Sequence, residues 1–318
     1  MAIVYLAPAT NRPTGGVKVL YRHVELLDRQ GVNCCVFHPS DPGFTCSWFD
    51  HNARVKKKLG FDRTRDFFVV PEMWANTSGN QCVEQQARFA IFVQNGYLFA
   101  QGFDPSTYDR LRKVYEAADL ILSISDDTTS MIKLAFPSLD SDKIVRVQLS
   151  VGGVFGGITM PRKKLISYMP RRLPQHSELM NFFIREYLPA GWGIQAVDGL
   201  PEAGVAEKFS ESSIFWSFSA MEGVGLPPIE AALCGNVVVG YTGEAGKEYF
   251  ESPVFNEVHN GDVKSFIQKT LEAIKYIEDG GLSSPAFVEG LAKLATTYSR
   301  ENEKARLLEF AKRVESLF

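Results

Sequence analysis

Residues 214–240, IFWSFSAMEGVGLPPIEAALCGNVVVG, constrain the fold of this chain more than any other segment. The stretch opens with aromatic and β-branched residues, which predict a buried strand, and a loop with two glycines and two prolines follows. Residues 229–234 predict a helix, because Pro228 suits a first helical turn and Gly235 suits a helix end. The valines after Gly235 predict a second strand. The order strand, loop, helix, strand is typical of a parallel α/β sheet.

Two glutamates lie inside this unit, with seven residues between them. Glu222 comes at the C-terminal end of the first strand, on the loop, and Glu230 falls about one turn into the helix. Both carboxylates can therefore face the crevice where open α/β sheets bind ligands. Backbone N–H groups of the loop and of the helix N-terminus suit an anion. Backbone N–H groups that bind a phosphate, beside a carboxylate that binds a pair of hydroxyls, suit a nucleotide. We predict contacts with this nucleotide ligand, the donor substrate, from Gly223, Val224, Gly225, Leu226 and Glu230.

The stretch resembles the donor-site signature of the GT-B glycosyltransferases, most closely the retaining enzymes of glycosyltransferase family four (group 1). The matching residues are Glu222, Gly223, Gly225, Leu226, Pro227, Glu230, Ala231, Cys234 and Gly235. The resemblance implies an α/β GT-B fold with two Rossmann-like domains facing each other across a cleft. It also implies transfer of a hexosyl or deoxyhexosyl group from a nucleotide diphosphate sugar to a hydroxyl acceptor. The anomeric configuration would be retained, Glu230 would bind the ribose, and Glu222 would face the sugar as a catalytic residue.

Composition is consistent with two packed domains, since 318 residues exceed the usual size of one, 45% are hydrophobic and 22% are charged. The net charge of −3 gives no sign of a nucleic-acid partner. We expect residues 1–155 to form an acceptor-binding Rossmann-like domain and residues 156–299 a donor-binding one. Residues 300–318 predict a C-terminal helix, which in GT-B proteins commonly crosses back to the first domain.

The chain shows no apolar run of the ~18 residues that a membrane helix needs, and its N-terminus predicts a first strand instead of a signal peptide. Five irregularly spaced cysteines favour reduced thiols in a cytoplasmic protein. The histidines and cysteines lack metal-ligand spacing, so we expect no metal site and no cofactor besides the donor substrate. The basic residues 54–58 suit peripheral contact with anionic lipid, although such runs are more often solvated surface.

The N-terminal segment predicts a strand, a glycine turn, a helix over residues 17–30 closed by Gly31, and a second strand. Gly15 and Gly16 precede the helix, where close backbone approach and the helix dipole favour a phosphate. In the GT-B families a glycine pair at this position lies beside the donor diphosphate. We therefore include both glycines among the predicted donor contacts.

Two further strands of the first half, residues 67–72 and 88–95, end in polar loops. Loops at the carboxyl ends of parallel strands line the binding crevice. From their position alone, we predict contacts with the acceptor substrate from four residues: Glu72, Trp74, Gln94 and Asn95. Residues 115–137 predict a strand followed by a helix that Ser125 or Asp126 caps. Residues 143–153 predict a strand that runs into glycines at the end of the domain.

The second half opens with a strand over residues 164–169, and Arg171 and Arg172 follow it. In the resembled family an arginine and then a lysine neutralise the donor diphosphate at this point. The arginine position is filled here and no lysine follows in the next turn, so we assign the charge neutralisation to the paired arginines. Gly199 matches the loop glycine that lies by the nucleotide base in the family.

Two other functions stay open from the sequence. One is a nucleotide-sugar epimerase, which shares the two-domain fold and would release free nucleotide with an altered sugar. The other is a glycan-binding protein descended from a transferase, which the missing lysine makes reasonable. The sequence leaves open the base, the sugar, the acceptor (glycan, lipid-linked glycan or small molecule) and the oligomeric state.

Overall fold

The computed structural model describes residues 1–58, 62, 64–100, 104–156 and 162–318. The chain forms two compact units. Unit 1 comprises Met1–Leu149 and Arg300–Phe318, and unit 2 comprises Ser150–Ser299. The chain thus passes from unit 1 to unit 2 a few residues before the predicted boundary at 155.

Unit 1 contains a parallel sheet, which in the described residues has the strand order β3-β2-β1-β4-β5-β6-β7. Its strands are β1 (Ile3–Leu6), β2 (Cys34–Phe37), β3 (Val55–Lys56), β4 (Phe67–Pro71), β5 (Arg88–Val93), β6 (Leu120–Ser123) and β7 (Ile144–Arg146). Its first helices are α1 (Gly15–Asp28), α2 (Asn80–Glu84), α3 (Tyr108–Ala117) and α4 (Asp126–Ala135). The order reverses between β1 and β4, which is the Rossmann arrangement and places a ligand crevice at the carboxyl ends of those strands.

Local sequence signals account for most of these elements. Helix α1 buries Val17, Leu20 and Val24 on the side that the periodicity predicts. The hydroxyl of Ser125 caps α4 by accepting a hydrogen bond from the backbone N–H of Thr128 at 2.9 Å. The prediction of a strand over residues 143–153 is wrong in length, because β7 ends at Arg146 and the chain leaves the sheet edge soon afterwards to enter unit 2.

Unit 2 contains a second parallel sheet, which in the described part has the strand order β12-β11-β10-β8-β9. Its strands are β8 (Leu165–Tyr168), β9 (Gly193–Ala196), β10 (Ile214–Glu222), β11 (Val237–Glu244) and β12 (Phe255–Glu257). Its helices are α5 (Pro174–Phe183), α6 (Glu202–Glu211), α7 (Leu226–Leu233), α8 (Val263–Glu278) and α9 (Pro285–Thr297). Here the order reverses between β8 and β10, so the carboxyl ends of these two strands define the crevice of unit 2.

Aromatic side chains of β10 fix that strand against α8. Trp216 is fully buried and its indole N–H donates to the hydroxyl of Thr270 at 3.0 Å. The rings of Phe218 and Phe266 stack with centroids 5.2 Å apart. The strand that leads to the predicted site is therefore packed in the core of unit 2, where the Trp216 N–H has a hydrogen-bond partner.

The last helix, α10 (Arg300–Glu315), belongs to unit 1 and packs on α1. Its buried Glu303 accepts a hydrogen bond from Arg22 Nε at 3.0 Å and lies 3.5 Å from His23 Nε2. Burial lowers the pKa of His23, and the neighbouring Glu303 opposes that shift. The last helix is therefore attached to the first helix of unit 1 by packing and by the ion pair between Arg22 and the buried Glu303.

Candidate functional site

Three loops of unit 2 lie side by side at the carboxyl edge of its sheet, because β8 pairs with both β9 and β10. The loop after β8 carries Arg171 and Arg172, and both side chains are exposed. The loop after β9 carries Gly199, whose φ of +67° favours glycine. The loop after β10 is Gly223-Val224-Gly225. The sheet topology therefore gathers these predicted residues at one edge, around the point where the strand order reverses.

Glu222 is the last residue of β10, whereas the sequence placed it on the loop. The difference comes from a bulge, since the register between β10 and β11 shifts between Ser219 and Glu222 before Glu222 pairs with Glu244. Met221 inside the bulge has a φ of +49°, which is uncommon for a residue with a side chain. Strained backbone of this kind concentrates at functional sites. The bulge therefore lies immediately before Glu222.

Arg172 and Glu222, fifty residues apart in the chain, form a two-point ion pair. Arg172 Nε lies 3.0 Å from Glu222 Oε1, and Arg172 Nη2 donates to Glu222 Oε2 at 3.3 Å. The Glu222 side chain is 15% exposed and that of Arg172 is 60% exposed. Burial raises the pKa of Glu222, while Arg172 and Arg171 oppose the shift. The carboxylate thus holds a guanidinium that still reaches solvent and can meet an anion.

The glycine loop leads into α7 through Gly225, whose φ of +76° is left-handed. Leu226 is the first helical residue, and Pro227 and Pro228 follow in the next two positions. Because proline has no N–H, the start of this helix offers fewer anion donors than an ordinary helix N-terminus. The backbone donors for an anion must come chiefly from the loop and from Leu226.

Glu230 lies on α7, just beyond its first turn, and its side chain is half-buried. The charges of Glu222 and Glu230 both raise the pKa of the buried Tyr249 hydroxyl, although burial is the larger cause. The two carboxylates therefore lie within electrostatic reach of one group, and their orientation toward a common crevice stays a prediction. The structure also adds Tyr249 to this edge, a residue that no pattern in the sequence singles out.

The predicted residues of unit 1 lie at the carboxyl ends of β1, β4 and β5, which are neighbours in the sheet. Helix α1 begins at Gly15, so the two glycines occupy its first turn as predicted. A Cβ atom on Gly16 would lie 3.1 Å from the Oε1 atom of Gln94. The absence of a side chain at Gly16 therefore lets the loop after β5 approach the helix N-terminus closely.

Glu72 joins the loops after β4 and β5, because its Oε1 atom accepts a hydrogen bond from the backbone N–H of Asn95 at 3.2 Å. Burial raises the pKa of Glu72 to about 7, against the opposing effect of backbone N–H groups that include those of Gln94 and Asn95. Trp74 packs against the hydrophobic core of unit 1 and is half-buried. The structure thus brings Glu72, Gln94 and Asn95 together, while Trp74 is partly buried against the core.

The raised pKa of Glu72 predicts a pH-dependent effect on stability. The folded protein holds the Glu72 proton more tightly than the unfolded chain, so the stability that this group provides falls as pH rises from 4.5 to about 7. At about pH 8 we expect Glu72→Gln to raise the free energy of unfolding by about 1–3 kcal/mol relative to wild type, and the melting temperature to rise with it. At about pH 4.5 we expect little effect. Glu84→Gln, at an exposed position of the same unit, is the matched control. A difference that does not change with pH would contradict the assignment.

Within the described residues, no three His, Cys, Asp or Glu side chains are grouped so that they could hold a metal ion. Likewise, none of the helices in the described ranges is long and apolar enough to cross a bilayer. The basic run 54–58 is partly engaged, because Arg54 Nη2 lies 2.7 Å from Asp28 Oδ1.

Known structures resemble this one over almost its whole length. Sucrose-phosphate synthase from Thermosynechococcus elongatus matches with a TM-score of 0.70 at 12% sequence identity, covering 100% of both chains. Anabaena HepE, solved in complex with UDP, matches with a TM-score of 0.68 at 11% identity, over 99% of this chain and 100% of HepE. The lipopolysaccharide outer core galactosyltransferase WaaB, in its apo form, gives a TM-score of 0.64 at 13% identity and 100% coverage of both chains.

The chain has the GT-B fold. That result confirms the predicted α/β class and the resemblance to the GT-B glycosyltransferases on which much of the site prediction rested. At such low identities the likeness establishes the fold alone. The chemistry must therefore be inferred from the residues at the carboxyl edges of the two sheets and not from the fold.

Sequence comparison adds one curated relative of this GT-B chain. The α-1,6-glucosyltransferase of Actinobacillus pleuropneumoniae serotype 7 (strain AP76) is 32% identical over 98 residues. The match covers 30% of this chain and 29% of the relative, so the chain spans less than a third of that protein. No protein-family model matches the chain.

Proposed function

We propose that this protein is a glycosyltransferase that moves a sugar from a nucleoside diphosphate sugar to a hydroxyl acceptor. The observation that carries the proposal is the Arg172–Glu222 ion pair beside the glycine loop of unit 2, at the strand-order reversal of a GT-B fold. The pair sets a guanidinium for phosphate and a carboxylate for sugar hydroxyls next to each other. Those are the two kinds of group that a nucleotide sugar requires.

The donor that the comparisons favour is a UDP-hexose. HepE has been solved with UDP-glucose, and the curated relative is a glucosyltransferase. In this assignment Glu230 on α7 accepts hydrogen bonds from the ribose hydroxyls, and Gly199 lies by the base. The groups that approach the diphosphate in this assignment are Gly223, Val224, Gly225 and Leu226 of unit 2. The donor contact of Gly15 and Gly16 stays a prediction from the sequence.

Glycosyl transfer breaks the bond between the anomeric carbon and a phosphate oxygen, and the bonding electrons go to the diphosphate. The acceptor oxygen forms the new bond, and its proton passes to the leaving diphosphate or to water. Arg171 and Arg172, with the loop N–H groups, stabilise the charge that develops on the leaving diphosphate. Bidentate arginines suit phosphate at least as well as the lysine missing from the following turn. We therefore propose transfer without an essential metal or other cofactor.

We extend the proposal to retention of the anomeric configuration and to membership of glycosyltransferase family four, which the Glu222–Gly235 signature supports. Glu72, Gln94 and Asn95, with the exposed part of Trp74, are the proposed acceptor contacts. The five cysteines of the chain are buried and free, which supports work in a reducing compartment such as the cytoplasm. The acceptor is a glycan, a lipid-linked glycan or a small molecule, and a lipid-linked acceptor would entail contact with a membrane surface.

Binding of the nucleotide alone tests the donor site. UDP at ~100 times its dissociation constant is expected to add about 2.7 kcal/mol to the free energy of unfolding, and so to raise the melting temperature. The rise should persist in EDTA, since arginines and backbone N–H groups supply the positive charge. GDP and dTDP in parallel samples test the choice of base. The proposal fails if none of the three nucleotides stabilises the protein at millimolar concentration.

A further inference from the structure

Tyr249 lies beneath the glycine loop of unit 2 and is buried. Its hydroxyl donates to the carbonyl oxygen of Gly225 at 2.7 Å and lies 3.1 Å from that of Val224. The ring packs edge-on against Phe255 and Tyr298, with centroid distances of 5.2 and 5.8 Å. Burial raises the pKa of Tyr249 well above its ordinary value, so the hydroxyl keeps its proton and stays a donor.

These two contacts determine the direction of two backbone N–H groups. In a trans peptide the C=O and the following N–H point to opposite sides. Because the carbonyls of Val224 and Gly225 turn toward Tyr249, the N–H groups of Gly225 and Leu226 turn away from it. Pro227 and Pro228 have no N–H, so the N–H of Leu226 is the last backbone donor before Ile229 at the start of this helix.

We infer that Tyr249 is a positioning residue for the donor diphosphate, which it serves by holding the N–H groups of Gly225 and Leu226 toward the phosphates. The inference rests on the proposed function, because it assigns the diphosphate to this loop. Donors fixed before the ligand arrives need no reorganisation when charge develops on it. Tyr249 is buried and its hydroxyl contacts the carbonyls of the loop, so its effect is exerted through the backbone.

The segment that carries Tyr249 is itself anchored within unit 2. The hydroxyl of Tyr298 donates to the carboxylate of Glu248 at 3.0 Å. The carbonyl of Tyr298 accepts a hydrogen bond from the N–H of Val151 at 3.0 Å, near the point where the chain enters the unit. Contacts with Tyr298 therefore fix the segment that carries Tyr249, as a positioning residue requires.

The test compares the affinities of Tyr249→Phe and wild type for UDP and for uridine, which lacks phosphates. We expect UDP affinity to fall by about fivefold or more, because a lost hydrogen bond lets the loop relax, while uridine affinity stays within about twofold. Tyr276→Phe is the matched control, since the Tyr276 hydroxyl donates to the carbonyl of Gly281 at 2.7 Å in the same unit. That variant should bind both ligands like wild type. Melting temperatures of all variants are measured alongside.

Gly246→Ala provides a second variant if Tyr249→Phe folds poorly. Its Cβ atom would lie 3.2 Å from the Tyr249 hydroxyl and shift it slightly without removing it. Selective loss of UDP affinity is again expected. Equal loss of UDP and uridine, or unchanged UDP affinity in both variants, overturns the inference and leaves the proposed function intact. Wild-type protein that binds none of UDP, GDP and dTDP overturns the proposed function and this inference with it.

Discussion

Glu222→Gln is expected to lower turnover by about a hundredfold or more, the size of effect seen when one transition-state contact is removed, without weakening UDP binding. The neutral amide cannot hold Arg172 through two charged oxygen contacts, and it loses a charged acceptor for the sugar hydroxyls. Free UDP carries no sugar, so it does not use that acceptor. Loss of the Glu222 charge also leaves Arg172 available to the diphosphate.

The control for this variant is Glu251→Gln, in the same unit. Glu251 pairs with Lys293 across 2.8 Å at the surface, where both side chains are 67% exposed. Exposed pairs of this kind contribute little, so neither turnover nor UDP affinity should change. If Glu222→Gln keeps normal turnover, or loses UDP affinity as steeply as turnover, its assignment to the sugar is wrong.

Glu230→Gln is expected to show the opposite pattern, with a fall in UDP affinity of about tenfold to a hundredfold. A hydrogen bond to a charged acceptor contributes ~1.5–3 kcal/mol, and a ribose offers two hydroxyls to one carboxylate. Titration calorimetry with UDP and with 2′-deoxyuridine diphosphate makes the test specific. Wild type should prefer the ribose form, and Glu230→Gln should reduce that preference.

The calorimetric result also separates the two glutamates from each other. Equal weakening of UDP binding in Glu222→Gln and Glu230→Gln would contradict the division of roles between sugar and ribose. Retention of full UDP affinity in Glu230→Gln would remove the ribose contact from the account. Either result would leave the assignment of the GT-B fold unchanged, because that assignment depends on the sheet topology and the structural comparisons.

The sequence predicted those parts of the fold that depend on neighbouring residues. Hydrophobic periodicity, a side-chain cap at Ser125 or Asp126 and a glycine stop at Gly235 are local effects. The structure confirms the periodicity and the glycine stop, and it selects Ser125 as the cap. The cap of α8 is of the same kind, because the Asp262 side chain accepts a hydrogen bond from the backbone N–H of Ser265 at 3.0 Å. The spacing of Glu222 and Glu230 likewise reports a local strand–loop–helix geometry.

The parts that the sequence did not predict depend on residues far apart in the chain. Arg172 meets Glu222 across fifty residues, and Arg22 meets Glu303 across 281. The bulge before Glu222 arises from pairing with β11, so the isolated strand pattern carries no sign of it. Tyr249 reaches the glycine loop through the packing of a later turn. A tyrosine in such a turn is indistinguishable, in sequence, from any other buried aromatic residue.

We propose that unit 2 delivers an activated sugar to a hydroxyl acceptor. The most direct measurement is nucleotide release from a panel of UDP-, GDP- and dTDP-sugars, with and without a mixture of glycan and lipid-linked acceptors. We expect release from a UDP-hexose that accelerates with acceptor, yields a glycoside, and falls in Glu222→Gln but not in Glu251→Gln. Release of free nucleotide with an altered sugar and no need for acceptor would indicate an epimerase. No release from any donor, by protein that binds UDP, would contradict the transferase function and indicate a binding protein.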